Sequence, residues 1–169
     1  MNDVTATPAA TARPTTTERV SDRELVVTRS FDAPPHSVFQ AWSRAELMQR
    51  WWAPQSFGIT FISCQIDCRT GGTYRFVFAH PAAAQPMAFF GRYIDVVPDR
   101  RIVWTNDENG PDGSVTSLTF DARAGGTLLV LRDLYPSKQA LDAAIASDST
   151  GAYAEQYVAL DAILVTLAG

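Results

Sequence analysis

The sequence is poor in the residues from which most active sites are built. Its 169 residues include two cysteines and two histidines. Cys64 and Cys68 lie four apart in a strand-like run, which places them on one face roughly 13 Å from each other, too far for a disulfide. They read as small buried hydrophobes with free thiols, and neither has a histidine nearby in sequence to serve as its base. His36 follows two prolines at a helix start and is expected to face solvent. His80 ends an aromatic strand beside a loop of Pro and Ala, where it is either a surface residue or a base at the mouth of a pocket. HExxH, CxxC and EF-hand spacings are missing, as are a Walker loop and GxGxxG. No metal or other cofactor is therefore expected, and with no recognisable catalytic motif the sequence leaves enzymatic activity undecided.

Positive charge is also scarce, with 14 Lys and Arg against 18 Asp and Glu for a formal charge of -4. A phosphate-backbone binder needs clustered cations on one face, so nucleic acid is excluded as an expected partner. No window holds the roughly 18 consecutive apolar residues of a membrane span. The opening segment MNDVTATPAATARPTTTERVS lacks the basic start and apolar centre of a signal peptide, and the chain is expected in the cytoplasm. That segment carries no aromatic residue, so residues 1–21 read as a flexible tail and 22–169 as one domain.

What is present is apolar and aromatic surface, 46% hydrophobic and 11% aromatic, enough for a sizeable core. The run Met87 to Thr105 shows how it is arranged. Phe89, Gly91 and Tyr93 alternate with Phe90, Arg92 and Ile94, Pro98 and Asp99 supply a turn, and Arg101 to Thr105 alternate again: a hairpin with bulky side chains on both faces. Before it, a strand from Arg23 to Phe31 leads to a Pro-initiated helix carrying Val38, Phe39 and Trp42. Ser43 and Glu46 have the spacing of a capping box that opens a second short helix through Leu47 and Trp51. Strand-like runs follow over Phe57 to Cys68, Thr73 to His80, Met87 to Val97, Arg101 to Asn106, Ser114 to Asp121 and Thr127 to Tyr135. Short separators such as Gly71-Gly72 and Gly125-Gly126 imply an antiparallel meander. A short helix over Ser137 to Ile145 precedes a long amphipathic one bearing Tyr153, Tyr157, Leu160, Leu164 and Leu167. The fold class is α+β, a curved antiparallel sheet whose concave face the last helix covers.

These words in this order resemble the SRPBCC (START or Bet v 1-like) superfamily and, within it, the heat shock protein 90 ATPase activator C-terminal domain family. FDAPPHSVFQAW, AELMQRWWAP, DCRTGG, YRFVF, GRYIDVVPDRRIVWT, VTSLTF and GGTLLVL carry the resemblance over residues 23 to 167. The resemblance implies a helix-grip fold; relatives of that kind bind lipids or polyketides, some cyclise or hydrolyse small molecules, and a few stimulate a chaperone ATPase. One departure alters the helix that roofs the cavity: Glu155-Gln156 stands where the family commonly has Gly-Trp.

Candidate lining for a ligand cavity comprises Trp51, Trp52, Phe76, Phe78, Phe89, Trp104, Tyr153 and Tyr157, with the hydroxyl of Tyr135 and the amide of Asn106 as orienting groups. Each of these aromatics could equally be core. Trp51 and Trp52 cannot face the same way, so one packs and the other reaches a rim or pocket. Asp133 continues the face of Leu129, Leu131 and Tyr135. A desolvated carboxylate there suits acid-base work, the alternative being an ion pair with Arg132 or Arg75. The leading expectation is a binder of a small apolar or aromatic molecule. A cavity enzyme of cyclase, dehydratase or hydrolase type using Asp133, His80 or a Tyr is the second reading, and a stress-related co-chaperone the third, although eukaryotic activators carry a separate N-terminal domain. Edge strands and Phe90 on the second face offer a surface for homodimer pairing.

Overall fold

The computed structural model describes residues 14–53, 55–108, 110, 113–147 and 152–167. Among them the elements run β1 (Thr16–Arg19), β2 (Glu24–Phe31), α1 (Pro35–Ser43), α2 (Ala45–Trp51), β3 (Thr60–Ile66), β4 (Thr73–Ala79), β5 (Met87–Val97), β6 (Arg101–Thr105), β7 (Val115–Arg123), β8 (Gly126–Leu134), α3 (Lys138–Ala146) and α4 (Ala152–Leu167). The strands form one antiparallel sheet in the order β1-β2-β8-β7-β6-β5-β4-β3. The meander from β3 to β8 is the one the alternation predicts, and β2 returns beside β8. Register shifts between Tyr93 and Asp95 and between Phe61 and Ser63 insert bulges that bend β5 and β3. The sheet is curved, and the class is α+β as expected.

The hairpin of β5 and β6 turns at Pro98-Asp99, with Asp99 in the left-handed region (φ 64°) and Arg100 N–H donating to Val97 O at 3.0 Å. An aspartate tolerates this conformation better than most side chains. The inward series is Phe89, Gly91 and Tyr93. Phe90 lies on the other face under the Arg75 guanidinium, 5.5 Å from its ring centroid. Gly91 is required by a close approach, because a Cβ there would stand 2.0 Å from Thr105 O.

The core fills from the inner face of β2, β7 and β8 against the helices. Leu25, Val27, Phe31, Leu118, Leu129 and Leu131 meet Val38 and Ala41 of α1 and Tyr157, Leu160 and Leu164 of α4. Arg29 shares the inward face of β2, where it is buried, stacks on Phe31 at 4.6 Å and donates to Asp161 of α4 at 2.9 Å through Nη1. That paired cation fastens the last helix to the sheet. α4 is apolar beyond its packed stripe, since Val158 and Val165 are exposed.

Two expectations are corrected. The segment read as a tail contains β1, which pairs with β2 through its backbone although all four of its residues are exposed. Arg19 ties its end down by donating to Asp142 of α3 and to Ser21 O and Asp22 O. Residues 1–13 lie outside the described residues. The Ser43–Glu46 capping box does not form, because only Arg44 separates α1 from α2. Ser43 remains the last residue of α1, Arg44 is the N-cap of α2, and Glu46 accepts from the Arg44 side chain instead of reaching back. Ser137 does cap α3, accepting from Ala140 N–H at 3.1 Å.

Candidate functional site

A cavity of about 970 Å³ opens between the inner face of β4 to β8 and a wall made by α1, α2, α3 and α4. Its position follows from local rules. The curved sheet stands over α3, which contributes Ala140, Ala143 and Ala144, with Ser147 at its C-cap, side chains too short to fill the space. α4 enters with Ala152, Tyr153 and Gln156. Gln156 Nε2 donates to Trp52 O at 2.6 Å, and Ser56 donates to the Glu155 carboxylate, so the first turn of α4 is tied to the connection after α2.

One end of the cavity is aromatic. The Trp52 ring lies among Phe61, Phe76, Phe78 and Phe89 at centroid distances of 5.2 to 5.8 Å, with the steepest crossing, 83°, against Phe89. The contacts with Phe76 and Phe89 are edge-to-face and those with Phe61 and Phe78 tilted, geometries that fix ring orientation as well as bury area. Trp42 and Trp104 continue the wall, 5.9 Å apart.

The other end is polar and is organised by one carboxylate. Asp133 is 4% exposed; its Oδ1 accepts from Thr116 Oγ1 at 2.5 Å and its Oδ2 from the Tyr153 hydroxyl at 2.8 Å. Asn106 Nδ2 donates to Thr116 Oγ1 at 3.0 Å, so the Thr116 proton is directed to Asp133. The Tyr74 hydroxyl donates to Thr105 O at 2.8 Å and lies 3.3 Å from Asn106 Oδ1. Burial pushes the Asp133 carboxyl above its ordinary range, against the opposing pull of the two hydroxyl donors. Burial likewise raises Glu108, whose Oε2 is buried without a hydrogen-bond partner. Tyr153 is held well above the ordinary phenol value by burial and by Asp133, and Tyr135 is pushed up to about 12 by the same two causes.

Of the candidate residues, Trp52, Phe76, Phe89, Trp104, Asn106, Asp133, Tyr135 and Tyr153 line this cavity. Trp51, Phe78 and Tyr157 sit in the core behind it. Trp51 is fully buried and donates its indole N–H to Ala41 O at 3.0 Å, while its neighbour Trp52 faces the cavity. The ion pair of Asp133 with Arg132 or Arg75 is not formed: Arg132 bonds Glu24 and Arg75 stacks on Phe90, both away from the inner face. His80 is not part of the lining; its Nδ1 accepts from Ala82 N–H. His36, exposed on α1, meets Asp99 at 3.0 Å. The thiols of Cys64 and Cys68 are free, and burial pushes each up to about 11. Sequence reasoning missed Trp42, Tyr74, Tyr93, Glu108, Thr116 and the α3 alanines. For Tyr74 and Tyr93 the signal was present, since they share the alternating faces of Phe76 and Phe89.

Residues 32–164 match the family described as Activator of Hsp90 ATPase homolog 1-like protein. The chain belongs to this family. Among solved structures, this family member is similar to a Rhodobacter sphaeroides protein at 25% identity, with 91% of this chain and 99% of that one covered and a TM-score of 0.82. A Mycobacterium smegmatis protein is 21% identical, covering 91% of this chain and 99% of its own, with a TM-score of 0.77. An AHSA1-like protein from Aeromonas hydrophila superposes with a TM-score of 0.62 at 18% identity, covering 82% and 89%. No curated protein matches the sequence. Among the described residues no helix is long and apolar enough to cross a membrane.

Proposed function

We propose that this family member binds a small apolar or aromatic molecule in the cavity between its sheet and its helices. The observation that carries the reading is the unfilled volume of about 970 Å³ walled by Trp42, Trp52, Phe76, Phe89 and Trp104. It matches the size of pockets that enclose drug-sized ligands, and its aromatic wall with few polar groups is the usual composition of such pockets. A thermal-shift panel of aromatic compounds tests it. A ligand at a hundredfold excess over its Kd stabilises the native state by about 2.7 kcal/mol, which raises Tm by several degrees in a domain of this size. Ala140→Phe, which projects a ring from α3 into the cavity, abolishes the shift while the apo protein stays folded. Equal shifts in the variant and the natural protein would overturn the reading.

A second reading, acid-base chemistry within the cavity, is favoured by one observation: Asp133 meets the Tyr153 and Thr116 hydroxyls there. It requires turnover of a bound compound, and loss of that turnover in Asp133→Asn. The family name suggests a third, stimulation of a chaperone ATPase, tested by adding the purified protein to that ATPase.

A further inference from the structure

We infer that the cavity selects cationic ligands, aromatic or apolar bodies carrying a protonated amine, over neutral and anionic ones of the same shape. The inference rests on the binding reading above and adds the charge of the ligand to it. Three observations carry it.

The first is the inventory of charge. Asp133 and Glu108 line the cavity, and no Lys, Arg or His does among the described residues. Asn106, two residues before Glu108 in the chain, is joined to Asp133 through Thr116 and lies 3.3 Å from the Tyr74 hydroxyl, so the segment carrying Glu108 leaves the sheet at the Asp133 end of the cavity. An anionic ligand would enter a desolvated space lined by two carboxyl groups with no cation to receive it, a costly arrangement.

The second is unmet hydrogen-bonding capacity. Glu108 Oε2 is buried with no hydrogen-bond partner, although the backbone N–H groups of Glu108 and Phe90 act on its carboxyl, and each Asp133 oxygen accepts a single bond, leaving a lone pair free on both. A carboxylate oxygen left without a donor costs free energy, and an ammonium is the ligand group richest in donors with no acceptor of its own. Trp42 adds an independent sign that the space takes a ligand: it lines the cavity, is 6% exposed, and its indole N–H has no partner.

The third is the aromatic wall. Trp42, Trp52, Trp104 and Tyr74 line the cavity, and the face of such a ring attracts a cation more strongly as water is excluded. An aryl-alkyl amine places its ring at the aromatic end and its ammonium at the carboxylates.

The test uses a matched set, naphthylethylamine, naphthylethanol and naphthylacetate, titrated calorimetrically near neutral pH. The amine is expected to bind at least about tenfold more tightly than the alcohol, and the acetate most weakly, because a buried charge pair is worth that much when well placed. Glu108→Gln and Asp133→Asn each narrow the gap between amine and alcohol; two variants are used so that misfolding of one leaves the other decisive. If the alcohol binds as tightly as the amine, or the acetate binds best, the charge inference is overturned and the binding reading survives. If none of the three binds, both are overturned.

Discussion

The two ends of the cavity are held in different ways. At the aromatic end, Trp52 is fixed by rings crossing its own at 50° to 83°, and nothing within that cluster titrates. At the polar end, position is set by a directed chain from Asn106 through Thr116 to Asp133, closed by Tyr153 from α4. Packing of large rings is worth several kcal/mol per residue, whereas a hydrogen bond contributes about 1 kcal/mol net. The aromatic end therefore maintains the shape of the cavity, and the polar end decides what charge can enter it.

Gly91 stands at the seam, between Phe89 of the aromatic end and the Thr105 oxygen that Tyr74 bonds at the polar end. Gly91→Val drives a side chain into that backbone oxygen and is expected to cost about 3 kcal/mol or more, since main chain cannot yield as a flexible side chain does. Urea unfolding reads the loss; a variant as stable as the natural protein would mean the two ends are not locked through this contact.

Trp52→Ala, at the aromatic end alone, should cost about 3 kcal/mol and remove the ligand-induced thermal shift. Asp133→Asn, at the polar end alone, should cost about 1 kcal/mol, because the amide oxygen can still accept from one of the two hydroxyls. The reverse ranking would break the division of labour between the ends.

The ends also separate by pH. Burial raises the Asp133 and Glu108 carboxyls in the folded chain, so protonation favours folding. That stability is fully present below the unfolded carboxylate pKa and is lost as pH rises through the raised folded values. Tyr153, Tyr135 and Tyr74 around them stay protonated throughout, because burial first and the carboxylates second push all three phenols upward. Relative to Asp133→Asn, the natural protein should thus lose stability with rising pH across this window, while Trp52→Ala should leave the slope unchanged. Parallel curves for the natural protein and Asp133→Asn would show that Asp133 is not desolvated.

The smallest effect expected is that of Tyr153→Phe, about 1 kcal/mol for one hydroxyl. It removes one of the two bonds that lower the Asp133 value, so the carboxyl should titrate still higher, followed by NMR of its carboxyl carbon. A downward shift would contradict the assigned hydrogen bond.

Much of the aromatic end was legible in the sequence, because alternation in a strand assigns faces. Phe76 and Phe89 fall on the inner face by that rule, and so do Tyr74 and Tyr93. Alternation does not assign depth along the sheet, which is why Phe78 shares the face of Phe76 yet lies in the core behind the cavity. At the polar end, Asp133 was legible as an inward carboxylate on an apolar face. Its partners were not, since Thr116 is opposite it only through the β7–β8 register and Tyr153 reaches it from α4. Glu108 follows β6 outside any periodic element, so no pattern points to it. β1 escaped because an edge strand can pair through its backbone alone, with charge and exposure along its side chains.

The central claim is that the space between sheet and helices is a binding site, and a crystal structure with naphthylethylamine tests it most directly. The account predicts ring density against Trp52, Phe76 and Phe89 with the ammonium nitrogen within hydrogen-bond distance of Asp133 or Glu108. A cavity closed by its own side chains, or holding only water at saturating amine, would contradict it.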